Sequence, residues 1–177
     1  LDPVITNQDV SLRISLSSQG ELKSLKKAIE SLYTQKLINK NGFKILNLQL
    51  LQKDYNINNN KESAFAYYKY IIDNIKEVGF DSSITIAMGL AVDFKFKYKL
   101  VAVSNYLMQD YDEFFENQSE INRYTFQMMS GFFYRYIKND KRALMKFLEA
   151  RANPYHWSRE IISYEDMIRD HNLLYEI

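Results

Sequence analysis

Apolar residues recur at three- and four-residue intervals between Lys61 and Val78, which gives the clearest pattern in the chain. One stripe of a helix with 3.6 residues per turn collects seven of them, namely Ala64, Phe65, Tyr68, Ile71, Ile72, Ile75 and Val78. Gly79 follows the stripe, where a left-handed helix cap carries no Cβ penalty. The uncharged run Ile84–Met88 is typical of a strand covered on both faces. The pattern therefore predicts a helix followed by a buried strand.

Other short apolar or alternating segments predict further strands. Val10–Leu16 alternates apolar and polar residues, and Phe94–Tyr98 alternates like an edge hairpin. Ile45–Leu51 is a short apolar run, which could equally extend a helix. Glu160–Tyr164 predicts a last strand after Pro154, which ends the preceding helix because it lacks an amide donor.

Four more helices are predicted from capping residues and periodicity. Ser18 and Glu21 have the spacing of a capping box, in which each residue satisfies a free backbone donor of the other. The helix that follows would end at Asn41-Gly42. The polar loop Asn56–Asn60 supplies an N-cap for the central helix. The remaining helices are expected over Val101–Phe115, from Ser119 to Ile137, and from Asp140 onward.

Strands that alternate with helices predict a mixed α/β fold with parallel strands and right-handed crossovers. The chain of 177 residues is long enough to bury one core. It begins with Leu1, so we expect a piece of a longer protein. Because the chain is long enough for one core, residues 1–177 are interpreted as a single domain that is itself part of a larger one.

Composition excludes several kinds of partner and site. The 23 basic and 22 acidic residues leave a net charge of +1, which gives no electrostatic reason to expect a nucleic-acid partner. Zero cysteines exclude disulfides and thiolate metal sites. No apolar run approaches the roughly 18 to 20 residues that span a bilayer. We therefore expect neither nucleic acid nor membrane as a partner.

Candidate chemical groups are few, and a structural interpretation suits each of them better. The Met and aromatic stripe over residues 124–136 has the helical spacing of a core face. His156 and His171 have no metal-ligand neighbours. The acidic group at 110–116 lacks the glycine and closing glutamate of a calcium loop. Tyr155–Trp157 is interpreted as the anchor of a loop.

Four stretches, taken in order, resemble the barrel domain of enolase. Glu21–Leu37 resembles a basic enolase helix that ends near a tyrosine, and Asn60–Phe80 resembles a helix that begins with an Asn-Glu-Glu-Ala-type run. Ile84–Phe94 resembles the enolase strand and turn written Ile-Ala-Leu-Asp-Val-Ala-Ala-Ser-Glu-Phe. Ile161–Asp166 resembles the Val-Ser-Ile-Glu-Asp strand end. The resemblance implies about half of a TIM-type, enolase-like barrel.

The resemblance also implies a catalytic site from which most groups have been lost. Enolases hold Mg²⁺ with three carboxylates, of which only Glu165 has a counterpart here. Gly89 stands where a metal aspartate is expected, and Asn47–Gln52 has neither carboxylate nor glycine where the loop with the acid glutamate is expected. Ser11 stands near the position of a further glutamate. The lysine base would lie beyond Ile177. No catalytic residue is therefore assigned, and Glu165 is interpreted as an unoccupied relic of a metal site.

Three functions follow from these interpretations. The first is a catalytically inactive, cofactor-free enolase-like component of a large protein assembly in the cytoplasm, for which the resemblance implies the axoneme of a cilium or flagellum as one location. The second is an active Mg²⁺-dependent enolase or related lyase, with Asp93 or Asp166 recruited as ligands beside Glu165. The third is a mixed α/β protein-interaction module whose tyrosines form a binding face. It would be favoured if the 84–88 strand were exposed to solvent or if the helices formed an all-α bundle.

Overall fold

The computed structural model of this chain describes residues 7–75, 81–109 and 119–153. Every regular element within those ranges is an α-helix. There are eight of them: α1 (Asn7–Leu16), α2 (Gln19–Thr34), α3 (Lys40–Asn58), α4 (Lys61–Asp73), α5 (Asp81–Phe94), α6 (Leu100–Gln109), α7 (Glu120–Tyr136) and α8 (Asp140–Ala152). The expected α/β fold, with its parallel sheet and TIM-type barrel, is therefore wrong for this part of the chain.

Each predicted strand within the described residues lies in a helix or a turn. Val10–Leu16 belongs to α1, Ile45–Leu51 to α3, and Ile84–Met88 to α5. Phe94 ends α5, and the rest of the expected hairpin lies in the turn that follows. The last expected strand, Glu160–Tyr164, lies outside the described residues.

The first of these errors has a clear physical cause. Apolar side chains at every second position would share one face of a strand, because successive residues point to opposite sides. On the helix α1 the same four residues fall on two different faces, because residues that share a face of a helix are three or four positions apart. Val10 and Ile14 are buried, whereas Leu12 and Leu16 are 61% and 77% exposed.

The capping signals were more reliable than the strand patterns. Ser18 precedes α2, and its N–H donates to a carboxylate oxygen of Glu21 at 2.8 Å. Asn60 caps α4 by accepting from the N–H of Ser63, and Ser119 caps α7. The predicted helix end at Gly42 is wrong, since Gly42 lies in the first turn of α3.

The contacts divide the chain after Ser83 into two compact units. In the first unit, α3 packs against α1, α2 and α4. One hydrophobic cluster joins the first three helices, and its buried members are Val10, Ile14, Leu22, Leu25, Ile29, Ile38, Leu46 and Leu50. Polar contacts add to it, since Ser11 Oγ donates to Gln49 Oε1 at 2.6 Å and Lys53 Nζ donates to the carbonyl of Ser15 at 2.7 Å.

The second unit has its closest packing between α7 and α8. Phe147 of α8 lies directly over Gly131 of α7, and its ring makes an edge contact with Phe132 at 5.5 Å between centroids. Tyr136 Oη donates to the carbonyl of Phe96 at 3.1 Å, which ties the end of α7 to the turn after α5. None of the helices that the structure describes is both long and apolar enough to cross a bilayer.

Candidate functional site

An open groove of about 900 Å³ lies along α1 and α2 in the first unit. Its lining is mainly apolar and consists of Asp9, Val10, Leu12, Arg13, Leu16, Ser17, Glu21, Ser24, Leu25, Ala28, Ser31 and Leu32. The volume falls within the range of about 300–1,000 Å³ that is common for ligand pockets. This groove is the candidate functional site.

The two sides of the groove differ in shape. On α1, Leu12 and Leu16 stand one turn apart and expose most of their side chains to solvent. On α2, the side chains of Ser24, Ala28 and Ser31 are small and lie at intervals of four and three residues. A ridge of two leucines therefore faces the same opening as a shallow wall of small residues.

The hydroxyl groups along the groove already have hydrogen-bond partners three or four residues away in the chain. Ser24 Oγ donates to the carbonyl of Glu21 at 2.8 Å, and Ser17 Oγ donates to the carbonyl of Ile14 at 2.7 Å. Ser31 Oγ accepts from Gln35 Nε2 at 3.0 Å. Covering a polar group is costly mainly when it loses its hydrogen bond. An apolar ligand can therefore cover these serines while their bonds stay intact.

Glu21 fixes the end of the groove at the connection between α1 and α2. Its carboxylate accepts hydrogen bonds from the N–H and from the hydroxyl of Ser18, both at 2.8 Å. The backbone bond, then the hydroxyl bond and then the charge of Arg13 hold the pKa of Glu21 below its ordinary value of 4.5. The carboxylate is ionised at neutral pH, and the positive charge of Arg13 favours that state.

The lowered pKa of Glu21 predicts how stability depends on pH. A carboxyl whose pKa is lower in the folded state contributes stability above its unfolded pKa of 4.5 and loses it as pH falls through the folded value. Glu21→Gln keeps an acceptor for the Ser18 donors but cannot titrate. We expect urea unfolding to show a steeper loss of stability for the wild type than for Glu21→Gln between about pH 5 and pH 2. Parallel pH profiles would contradict this assignment.

Of the carboxylates named for the expected metal site, only Asp93 lies within the described part of the chain. Glu165 and Asp166 lie outside the described residues, as do His156, His171 and the acidic group at 110–116. Asp93 is exposed in the last turn of α5. Among the residues that the structure describes, no group of three or more acidic, histidine or cysteine side chains is placed to hold a metal ion.

The other positions taken from the enolase resemblance have structural surroundings. Gly89 is buried in α5, where a Cβ would meet the methyl group of Met129 at 3.2 Å. The segment Asn47–Gln52 lies within α3 rather than in a loop. Ser11 bonds to Gln49 across the α1–α3 contact. These positions therefore contribute to helix packing in the structure.

Apart from the capping box of Glu21, the sequence pattern predicts no site among the residues that line the groove. Leu12 and Leu16 were grouped with Val10 and Ile14 as one apolar face, because the segment was interpreted as a strand. On a helix, Leu12 and Leu16 are four residues apart and therefore share a face, which differs from the face of Val10 and Ile14. That spacing is the sequence signal that identifies them. Ser24 and Ala28 carry no chemical motif, so only the packed structure identifies them.

Comparison of the chain with protein-family models, with curated proteins and with solved structures found no match in any of the three. The enolase resemblance therefore stays a prediction from sequence, and the barrel that it implied is contradicted by the helices. The function proposed below accordingly depends on the geometry of the groove.

Proposed function

We propose that the chain is a helical protein-interaction module that binds an amphipathic helix of a partner protein in the α1–α2 groove. The observation that carries the proposal is the groove itself, which is apolar, open to solvent and flanked by two exposed leucines. An apolar surface rimmed by polar residues is typical of a protein-binding site. Asp9, Arg13 and Glu21 supply that polar rim.

A helix is the partner that suits this shape. The lining of α2 extends from Glu21 to Leu32, which corresponds to about 16 Å along a helix axis. Small side chains at Ser24, Ala28 and Ser31 allow another backbone to approach closely, while larger side chains of the partner reach Leu25 and Leu32. Helix-in-groove recognition uses apolar anchors at intervals of three and four residues, which match this repeat.

Among the earlier interpretations, an interaction module is the one that an all-helical structure favours. A lyase with an enolase-type site is not proposed, because the barrel that would carry the site is replaced by helices in the described residues. Four of the tyrosines that the structure describes are buried, namely Tyr67, Tyr68, Tyr124 and Tyr134, so these four do not contribute to a tyrosine binding face. A role inside a larger assembly, in the cytoplasm or a cilium, remains a prediction that imaging of the tagged chain would test.

A synthetic helical peptide tests the proposed function. The probe is a fluorescein-labelled amphipathic peptide of about 14 residues with leucines at positions i, i+4, i+7 and i+11. We expect fluorescence anisotropy to show saturable binding to the wild-type chain. Ser24→Leu/Ala28→Leu fills the shallow wall of the groove and should weaken that binding by at least about tenfold.

The matched control adds the same two leucines outside the groove. Lys23→Leu/Lys27→Leu places them on exposed positions of α2 that do not line it. We expect this variant to bind the peptide as tightly as the wild type does, and both variants to keep the wild-type helix content by circular dichroism. Equal binding by all three proteins, or no binding to the wild type, would reject the groove as the site for a helix of a different protein.

A further inference from the structure

We infer that the helix that occupies the groove is α1 of a second copy of this chain, so that the groove forms a two-fold symmetric dimer. The inference rests on the proposed function of the groove. A two-fold interface uses the same surface twice and therefore requires that this surface be complementary to itself. The residues that line the groove meet that requirement in shape and in charge.

The shape is self-complementary because one face carries both a ridge and a wall that can receive it. Leu12 and Leu16 are exposed by 61% and 77% and protrude from α1 at a spacing of four residues. Ser24 and Ala28 have the same spacing on α2. In a symmetric pair, the leucines of each copy pack on the small residues of the other, as ridges pack into grooves between helices.

The charges favour the same arrangement. Asp9 lies in the first turn of α1 and Arg13 lies in its last turn. When two copies of α1 cross antiparallel about a two-fold axis, the acidic start of each helix lies against the basic end of the other. A parallel arrangement would place like charges together. Electrostatic complementarity therefore selects the antiparallel, two-fold orientation.

The rest of the groove fits an apolar occupant of this kind. The hydroxyl groups of Ser17 and Ser24 donate to carbonyls of their own chain, and that of Ser31 accepts from Gln35, so the leucines of the second copy can cover them without breaking these hydrogen bonds. The dimer would remove Leu12 and Leu16 from water in both copies. The energetic gain is hydrophobic, and the charges supply the orientation.

The first test measures whether the full chain dimerises. We expect sedimentation-velocity ultracentrifugation to show a reversible, concentration-dependent monomer–dimer equilibrium. Leu12→Ala/Leu16→Ala removes the ridge, and Ser24→Leu/Ala28→Leu fills the wall. Each double substitution should raise the dimer dissociation constant by at least about tenfold, because each removes the packing of leucine on small residues. We expect both variants to keep the wild-type helix content by circular dichroism, because all four substituted positions, Leu12, Leu16, Ser24 and Ala28, are exposed.

The decisive test mixes the two variants. In the mixed dimer, one of the two contacts is the same as in the wild type. The chain with Ser24→Leu/Ala28→Leu still has Leu12 and Leu16, and these pack on the unchanged Ser24 and Ala28 of the other chain. The second contact places new leucines on α2 against alanines on α1, which conserves volume. We therefore expect the mixture to dimerise at least about tenfold more tightly than either variant alone.

Other outcomes separate this inference from the proposed function. A chain that stays monomeric but binds the synthetic peptide in its groove would overturn the dimer and leave the helix-binding function intact. A dimer that both double substitutions leave unchanged would place the interface elsewhere and reject the inference. A mixture no tighter than its components would also reject it. Failure of both the peptide and the dimer assays would remove the groove as a binding site altogether.

Discussion

Leu46→Ala should destabilise the chain far more than Leu48→Ala, although the two leucines stand only two residues apart. Leu46 is 1% exposed and belongs to the hydrophobic cluster of the first unit, together with Leu50 one helical turn later. Leu48 lies between them on α3 and is only partly buried. Truncating a buried leucine to alanine typically costs about 2–5 kcal/mol, and we expect Leu46→Ala to fall in that range.

The difference between Leu46→Ala and Leu48→Ala also tests whether this segment is a helix or a strand. On a strand, positions 46, 48 and 50 would share one face, so their leucines would have similar importance. On the helix, positions 46 and 50 point into the cluster and position 48 points elsewhere. Urea denaturation measured by circular dichroism gives the free energy of unfolding of each variant. We expect the loss for Leu48→Ala to be at most about half that for Leu46→Ala, and equal losses would argue for a strand.

The sequence was informative where a polar side chain caps the helix that follows it. Ser18, Asn60 and Ser119 each precede a helix, and capping depends only on the few residues that follow. The long periodic segments were also correctly predicted to be helical, since α4 and α7 lie within the predicted ranges, although α4 ends at Asp73, before Ile75 of the stripe. These signals are local and repeated, so tertiary packing cannot easily override them.

The errors were concentrated in short apolar segments. Ile84–Met88 contains β-branched residues and no charge, which suits a buried strand, but the same composition suits a buried helix. In α5, Ile84, Ala87, Met88 and Ala91 are all buried. Their intervals of three and four residues mark a helical face that extends beyond the short run itself. The incorrect strand assignments then supported a barrel resemblance that the chain does not follow.

The candidate site was even less accessible from the sequence. Glu21 was assigned to a capping box, which is the role that it has, but its neighbours across the groove were not apparent. Where α1 packs against α3, Val10 and Ile14 are buried and Leu12 and Leu16 stay exposed. A groove between two helices depends on where a third helix places them, and no single segment encodes that arrangement.

Replacing Gly131 by alanine should destabilise the wild type but not a chain that lacks the ring of Phe147. A Cβ at position 131 would overlap that ring, which is 1% exposed and held by Phe132. Overpacking a core costs about 1–3 kcal/mol, while replacing a glycine inside a helix contributes about 1 kcal/mol in the opposite direction. We therefore expect Gly131→Ala to lower the free energy of unfolding by up to about 2 kcal/mol.

The double-mutant cycle gives the sharper result. Phe147→Ala alone should cost about 3–5 kcal/mol, because it removes a fully buried aromatic ring. In that background the new methyl group at position 131 meets open space, so Gly131→Ala should stabilise the chain by up to about 1 kcal/mol.

Gly20→Ala is the matched control, since a Cβ at that helical position meets nothing within 4 Å and should be neutral or stabilising in both backgrounds. Urea denaturation of the four proteins of the cycle measures the coupling free energy. Additive effects of Gly131→Ala and Phe147→Ala would mean that α7 and α8 do not meet at these two residues.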